Sequence, residues 1–442
     1  MNNSNSTIAL NNPRTIRAWC MYDWANSVYA LVISSSIFPI YYKAIAVENG
    51  GDNVTFLGFT IKNSILYTYS LSFSFLVVAF ILPFLSGVAD YTGRKKLFMK
   101  VFVFMGGFAC MGLFFFKDIS DLPWGILCSI VACIGYSGSL VFYDAFLPEI
   151  ATEDKYDVTS ARGYSMGYYG SVILMIICLV MIMNHESFGF ASDGQATRFS
   201  FLLTGIWWIG FAMIPFSVLK DNPTTHKSVG NSWRKGYQEL LKVWHSLKES
   251  PQLKRYLWAF FFFNMGVQTV MYLAQFFGTD VLKMEDSKLI ATVLIIQLVG
   301  AVGASLFAHL SKKMGNKKAL ITLISIWIAI CFYAYFITTD YQFYALAFFV
   351  GLVMGGIQAL SRATYAKLLP QNTIDNASYF SFYDVTFNLS IVVGTFSYGF
   401  INQITGSMRN SVLALALFFM AGFFFLISVK SEKIEGQERR SS

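Results

Sequence analysis

The sequence predicts an all-α integral membrane protein: twelve transmembrane helices in two pseudo-symmetric six-helix bundles. Three observations carry that reading. Charge is scarce, apolar stretches of membrane-spanning length recur twelve times, and basic residues alternate sides from one connection to the next. Of 442 residues, 55% are hydrophobic, 17% aromatic and 13% charged, about half the charge content of ordinary soluble domains, which is roughly 25%. The mean hydropathy is +0.52. A soluble chain of this size would lack the charge to cover its surface.

A membrane-spanning helix needs about 20 mostly apolar residues. Such spans fall near 18–42, 64–89, 97–116, 123–147, 163–183 and 199–219, then near 255–279, 289–310, 319–338, 342–361, 378–402 and 411–429. They must be helical, because backbone facing lipid has to satisfy its hydrogen bonds within the segment. Asn12-Pro13 suits an N-cap followed by proline at the first helical position. The division expected is an N-terminal bundle over 1–219, a linker over 220–254, a C-terminal bundle over 255–430 and a tail over 431–442. Within the linker, WRKGYQELLKVWHSLKESPQLKR has apolar residues at helical spacing among many basic ones, which fits an amphipathic helix on the membrane surface. About 35 residues are too few for an independent enzyme domain.

Lys and Arg fix the orientation. Connections on the side of the N-terminus hold 26 of the 33 basic residues and those on the other side hold 7. Both termini and the central linker are therefore expected in the cytoplasm, with the chain in the plasma (inner) membrane. The same sorting turns the net charge of +8 into a topological signal, so no nucleic-acid partner is expected. The partners implied are the lipid bilayer and a small-molecule substrate, with the chain acting as a monomer.

Other chemistry is quiet. Cys20, Cys110, Cys128, Cys133, Cys178 and Cys331 all lie in apolar runs without a CxxC or a neighbouring His, which reads as core thiols rather than metal ligands or disulfides. No cofactor and no metal site is expected. The N-terminal MNNSNSTIALNNPRT has no apolar core of the kind a secretory signal needs. There is no Gly-x-x-x-x-Gly-Lys-Ser/Thr loop, so ATP is not the direct driver.

The two halves echo each other. A shift of 222 residues places Gly93 and Lys95-Lys96 on Gly315 and Lys317-Lys318. It also places Ser139, Tyr143 and Leu147-Pro148 on Ser361, Tyr365 and Leu369-Pro370. A shift of 242 sets Asn26-Ser27-Val28 against Gln268-Thr269-Val270. Weak internal similarity of this kind is common in secondary transporters.

GVADYTGRKK, at the connection after span two, resembles the loop signature of the major facilitator superfamily, roughly G-x-x-x-D-x-x-G-R-K/R. Three further stretches narrow the resemblance: Tyr22-Asp23-Trp24-Ala25-Asn26-Ser27, Phe142-Tyr143-Asp144-Ala145-Phe146-Leu147-Pro148, and Gly355-Gly356-Ile357-Gln358-Ala359-Leu360-Ser361-Arg362. Together they look like the vacuole effluxer branch, whose fungal members are linked to amino-acid release from the vacuole. The likeness runs from about residue 15 to 430. The chain departs from it at Phe263-Asn264-Met265-Gly266, where relatives often have Tyr-Asn-Asp-Gly, and at Gly394-Thr395, where Gly-Pro is common. The resemblance implies two bundles that rock about a mid-membrane site lined by helices one, four, seven and ten.

Ionisable residues inside spans are functional candidates because their insertion is costly. Asp23 lies about 9 Å along the helix from Arg17, at 1.5 Å per residue, with Asn26 at i+3, while Tyr22, Asn26 and Tyr29 form a stripe at i, i+4, i+7. Such a stripe faces protein or water and serves either a substrate or an interhelical hydrogen-bond cluster. Gln268, Tyr272 and Gln275 make a similar stripe on span seven. Gln358 sits among Gly351, Gly355 and Gly356, which could equally be a close-packing face. Asp384, with Asn388 at i+4, either carries a proton or, as the favoured reading, pairs with Arg162 or Arg362. For the gate, the loop signature implies a charge cluster that latches one conformation: Asp90, Gly93, Arg94 and Asp144, with Glu149, Arg162 and Arg362 as neighbours. Trp19, Trp124 and Trp258, near helix ends, read as anchors at the membrane interface, and Trp207-Trp208 as packing.

The function expected is a secondary transporter, not an enzyme. It would move a small polar metabolite by alternating access, with amino acids and efflux following from the resemblance and proton coupling resting on Asp23 and Asp384. Sodium coupling and facilitated exchange stay open. The rival classes are a transporter-derived sensor that binds without translocating and a membrane-embedded enzyme acting on lipid-linked substrates; the latter lacks a nucleophile or metal constellation. The topology is directly testable. Single cysteines replacing Lys155 and Asp193 should react with a membrane-impermeant maleimide from opposite sides of intact cells, Asp193→Cys from outside; labelling of both from one side would break the alternation.

Overall fold

A computed structural model describes residues 10–47, 53–56, 58–221, 232–370 and 373–430. The first helix, α1 (Pro13–Val28), starts at Asn12, whose Oδ1 accepts from the backbone N–H groups of Arg14 at 2.9 Å and Thr15 at 3.4 Å. Asn-Pro is thus the expected start. The helix then widens into a π-helical segment, Tyr29–Ser36, before continuing as α2 (Ile37–Val47). Nothing in the local sequence announced this widening, which leaves Ser34, Ser35 and Ser36 near the middle of the span. A hairpin outside the span, β1 (Asn53–Phe56) and β2 (Phe59–Lys62), leads to α3 (Asn63–Thr92).

The first half continues with α4 (Lys95–Gly112), α5 (Leu122–Asp144), the single turn α6 (Leu147–Ile150), α7 (Tyr156–Met183) and α8 (Asp193–Val218). After the linker helix α9 (Ser232–Glu249) come α10 (Pro251–Asp280), α11 (Asp286–Met314), α12 (Asn316–Phe336), α13 (Asp340–Leu368), α14 (Asn376–Thr405) and α15 (Met408–Ile427). Among the described residues, eleven helical segments are long and apolar enough to cross a membrane. The twelfth long helix is α10, thirty residues diluted by Asn264, Gln268, Thr269 and Gln275. The expected tail, 431–442, and linker residues 222–231 lie outside the described set.

Helix pairing reveals the repeat. In the first half α1 packs on α7 and α8, α4 on α5 and α8, and α3 on α5. In the second half the corresponding helices make the same five pairings: α10 on α14 and α15, α12 on α13 and α15, and α11 on α13. Between halves the exchange is also reciprocal, α3 against α14 and α7 against α11. The chain is therefore two pseudo-symmetric six-helix bundles. The recurring glycines of the repeat have a conformational reason, since Gly93 (φ 64°) and Gly315 (φ 82°) both turn the chain in the left-handed region between helices. The Gly351-Gly355-Gly356 run is a close-packing face. A Cβ on Gly356 would sit 2.7 Å from the Phe307 ring, and one on Gly355 would be 2.8 Å from the carbonyl carbon of Gly300.

The connections holding most of the basic residues share one end of the bundle, called here the basic face, and α9 lies across it. Gly236, Leu240, Val243 and Leu247 are buried, while Arg234, Gln238, Lys242, His245 and Lys248 point outward. The helix is thus apolar along one side and polar along the other. Tyr237 stacks on Phe84 of α3 at 5.7 Å, Trp244 lies 5.6 Å from Phe382 of α14, and Tyr379 donates to Ser246 Oγ at 2.9 Å. The linker thus touches both halves. Its closest approach is to α3, where a Cβ on Gly87 would lie 3.0 Å from the carbonyl carbon of Gly236. Gly87→Val should lift α9 from α3 and expose it to limited proteolysis, with an overpacking cost of about 1–3 kcal/mol in the melting of the bundles. Proteolysis unchanged from the parent would show that α9 tolerates the added bulk.

Candidate functional site

The deepest charge in the described structure is Arg362, a residue of α13 with 1% exposure. Its guanidinium reaches out of the second half into a box built wholly by the first. Nη1 donates to Asp144 Oδ1 at 2.9 Å and Nη2 to Asp23 Oδ2 at 3.3 Å. Nε donates to Ser160 Oγ at 2.9 Å, and Nη2 donates also to the Ser160 carbonyl at 3.0 Å. Three rings surround it, with the guanidinium carbon 4.3 Å from the Tyr164 centroid, 4.8 Å from Trp19 and 5.4 Å from Tyr143. A buried guanidinium is tolerable only where its charge and its N–H groups are met, and here they are.

The box is held by its own bonds. Tyr143 OH donates to Asp23 Oδ2 at 2.7 Å, and Trp19 Nε1 donates to the Tyr143 carbonyl at 2.9 Å. Trp19 stacks on Tyr143 at 4.4 Å. Gly163 leaves the space open, because a Cβ there would lie 3.0 Å from Arg362 Nη2 and 3.1 Å from Tyr143 OH, and would run into Asp23 Oδ2. Around it, Ala161, Ala304, Ala308 and Ala359 let α7 approach α11 and α13 closely.

Two smaller networks flank this centre on the basic face. In one, Asp90 of α3 accepts from the backbone N–H groups of Ala377 at 3.2 Å and Ser378 at 2.7 Å, at the N-terminus of α14. Lys95 completes it, 3.6 Å from Asp90 and bonded to Glu149, whose Oε1 also accepts from Asn376 at 3.1 Å. In the other, Asp157 of α7 meets Lys367 Nζ at 2.8 Å, Asn316 Nδ2 at 2.7 Å and Ser311 Oγ at 3.0 Å. Both networks join the halves. An acid at a helix N-terminus also gains from the helix dipole.

Toward the membrane middle the polar groups are neutral. Tyr168 OH donates to Gln358 Oε1 at 2.6 Å across the interface. On the second half, Gln268 Nε2 donates to Asn264 Oδ1 at 3.3 Å, and Asn264 Nδ2 to Ser390 Oγ at 2.6 Å. A small cavity opens between Tyr164 of the first half and Asn264, Gln358, Ser361 and Tyr383 of the second. Near it Asp384 is 6% exposed and forms no ion pair or hydrogen bond among the described residues, and Asn388 Oδ1 also lacks a partner. Asn26 is buried, its Oδ1 accepting from Ser27 Oγ at 3.4 Å. Tyr29 opens the π segment, with its ring 4.9 Å from Tyr136, and the Tyr272 ring lies 6.5 Å from Phe75. Gln275 is on α10, its side chain outside the described residues.

Several expectations need correction. Asp384 pairs with neither arginine: Arg362 is committed to Asp23 and Asp144, and Arg162 is exposed. Arg94 is exposed too and makes no ion pair among the described residues; Lys95, one residue later, is the buried cation of that loop. Asp90, Arg94 and Asp144 therefore do not form one cluster, since Asp144 belongs with Arg362. Trp19 is no interfacial anchor but a fully buried wall of the box, whereas Trp124 and Trp258 are about half exposed. Sequence reasoning missed Tyr143, Ser160, Gly163, Tyr164, Asp157 and Lys367. The usable signal was charge complementarity between halves, three acids on one (Asp23, Asp144 and Asp157) and two bases on the other (Arg362 and Lys367) at the same end.

Two six-helix halves meeting over buried polar groups are the architecture of major facilitator transporters. The proton:xylose symporter XylE has that fold at a TM-score of 0.70 and 13% identity, over 96% of this chain and 97% of its own. The transporter FucP, solved in an outward conformation, matches at 0.68 and 13% identity, over 96% and 99%. The sequence model of the family described as "Vacuole effluxer Atg22 like" matches residues 11–438, and the chain belongs to that family. It is similar to the MFS-type transporter YxiO of Bacillus subtilis, 32% identical over 94% of each chain, and to autophagy-related protein 22 of Kluyveromyces lactis, 24% identical over 84% of this chain and 81% of that one. It is accordingly a multi-pass membrane protein of the MFS transporter type.

The buried pair network has a measurable weight. Arg362→Ala strands two carboxylates and should cost about 3–5 kcal/mol of stability in detergent. Replacing all three charges at once, by Asp23→Asn, Asp144→Asn and Arg362→Met, should recover most of that. An Arg362→Ala protein that melts with the parent would show that the cluster is solvated.

Proposed function

We propose that the chain exports a small polar metabolite, with amino acids as the substrate class, by alternating access in the plasma membrane. The observation that carries the reading is Arg362: the second half is pinned to the first by one guanidinium whose charged partners all lie across the interface. Ion pairs that exist in one conformation and break in the other are what make such a structure bistable. The positive-inside rule puts the basic face and both termini in the cytoplasm. In the state described the halves are then closed toward the cytoplasm, with the Asp90–Lys95–Glu149 and Asp157–Lys367 networks as secondary latches.

The substrate would sit at mid-membrane against Asn264, Gln268, Gln358, Asn388 and Asp384, with Asn26 and Tyr29 facing from the first half. Efflux of amino acids rests on kinship with the vacuole effluxers. Proton coupling rests on Asp384, whose protonation would break no ion pair.

Purified protein in liposomes should accumulate substrate against its gradient when a pH gradient is imposed. One proton per substrate gives up to about tenfold accumulation per pH unit, the equivalent of 1.36 kcal/mol. Asp384→Asn should keep exchange of substrate for substrate while losing the response to pH. Flux that ignores pH in both proteins would remove the coupling, and no flux of any amino acid would remove the substrate class.

A further inference from the structure

We propose that the box around Arg362 is itself a binding site for organic cations, of the guanidinium or primary ammonium class, and that Arg362 is its built-in occupant. A cationic substrate entering from the basic face takes the place that Arg362 leaves when the halves part, before it reaches the mid-membrane groups. This rests on the transporter reading above and narrows its substrate to cations.

The site's chemistry is that of cation recognition. Trp19, Tyr143 and Tyr164 present rings within 6 Å of the guanidinium carbon, the range in which a ring face attracts a cation. Asp23 and Asp144 supply charge, and Ser160 supplies a hydroxyl and a carbonyl acceptor. Every one of these groups belongs to α1, α5 or α7 in the first half. The box therefore travels as one body when α13 withdraws.

It also keeps its shape without its occupant. The Tyr143–Asp23 and Trp19–Tyr143 hydrogen bonds and the Trp19–Tyr143 stack do not involve Arg362. Gly163 keeps side-chain bulk out of the same space. When the halves separate, two carboxylates lose the cation they share, their one ion-pair partner among the described residues. A ligand cation restores it, whereas a neutral ligand of the same shape leaves both charges unmet. Such a ligand favours the open state by its differential affinity, which is the only way a ligand can shift the equilibrium.

The test uses wild-type protein in detergent and four probes: L-arginine, agmatine, L-citrulline and L-leucine. Calorimetry should show binding of arginine and agmatine, with citrulline, the neutral counterpart of arginine, at least about tenfold weaker. Trp19→Leu should weaken agmatine by roughly tenfold, matching the loss of a desolvated cation–π contact. A reporter cysteine at Ala308→Cys, on the sealed interface, should label faster with agmatine and not with citrulline. In Arg362→Ala, millimolar methylguanidinium should restore the lost melting temperature; if that variant does not fold, the wild-type titrations decide. Equal binding of arginine and citrulline, or no binding of either cation, overturns the proposal. Leucine transport without cation binding would leave the transporter reading standing and sink this one. Cation binding without flux of any substrate would do the reverse.

Discussion

A guanidinium buried to 1% exposure between two halves of a membrane protein sets the terms for everything around it. The idealised cost of taking such an ion from water to a low-dielectric interior is of order 20 kcal/mol, and several remain after relaxation. Arg362 offsets this with two carboxylates, a hydroxyl, a carbonyl and three aromatic faces, all drawn from the opposite half. The consequence is conditional stability. The partners are adequate only while the halves are together on the basic face, and on separation each group must find water or another ion. An apolar interface of the same size would hold the halves more simply but would carry no such dependence on what enters. The charge makes closure sensitive to chemistry.

The flanking networks show how a repeated fold uses its symmetry unequally. The glycine turns at Gly93 and Gly315 are equivalent, and both stand beside an acid that crosses the interface. In the first half the acid, Asp90, stands in the last turn of α3 and seats on the N-terminus of α14. In the second half the loop supplies Asn316, and the acid, Asp157, comes from the first turn of α7. Two different bonds thus occupy corresponding places. Each is made of its own residues, with no ion pair shared between them.

The fold was legible from sequence for physical reasons. Span length, lipid exclusion of unpaired backbone and the sorting of Lys and Arg are all one-dimensional signals, and the paired glycines and lysines mark the repeat. Asp23 and Asp144 were legible as costly residues, and Arg362 as a neighbour of Asp144, but not as the one cation that joins the two. Arg362 stands 339 residues from Asp23 along the chain, and only the packing of α7 against α13, enabled by alanines, brings it across. Arg94 drew attention because the motif contains it, yet a helix start at Lys95 turns the next residue inward instead. Trp19 failed for a related reason: nearness to a helix end suggests the lipid interface only if that end faces lipid, and here it faces Tyr143 and Arg362. The π segment at Tyr29–Ser36 had no local signature, because the widening follows from packing rather than from composition.

Charge balance ties the centre to the middle of the membrane. Arg362 balances only one of the two carboxylates it touches, Asp23 and Asp144, and Asp384 is buried nearby without an ion pair among the described residues. Buried clusters that far from neutrality are not sustained, and the deficit is of positive charge. Mobile cations supply it, and protons and a cationic ligand are two of them. If both draw on the same carboxyls, each lowers the need for the other. If Arg362 left the box, the deficit would grow by one charge, and either species would enter against a stronger demand. Coupling between proton and substrate would follow from that shared account of charge, with no long-range signal between separate sites.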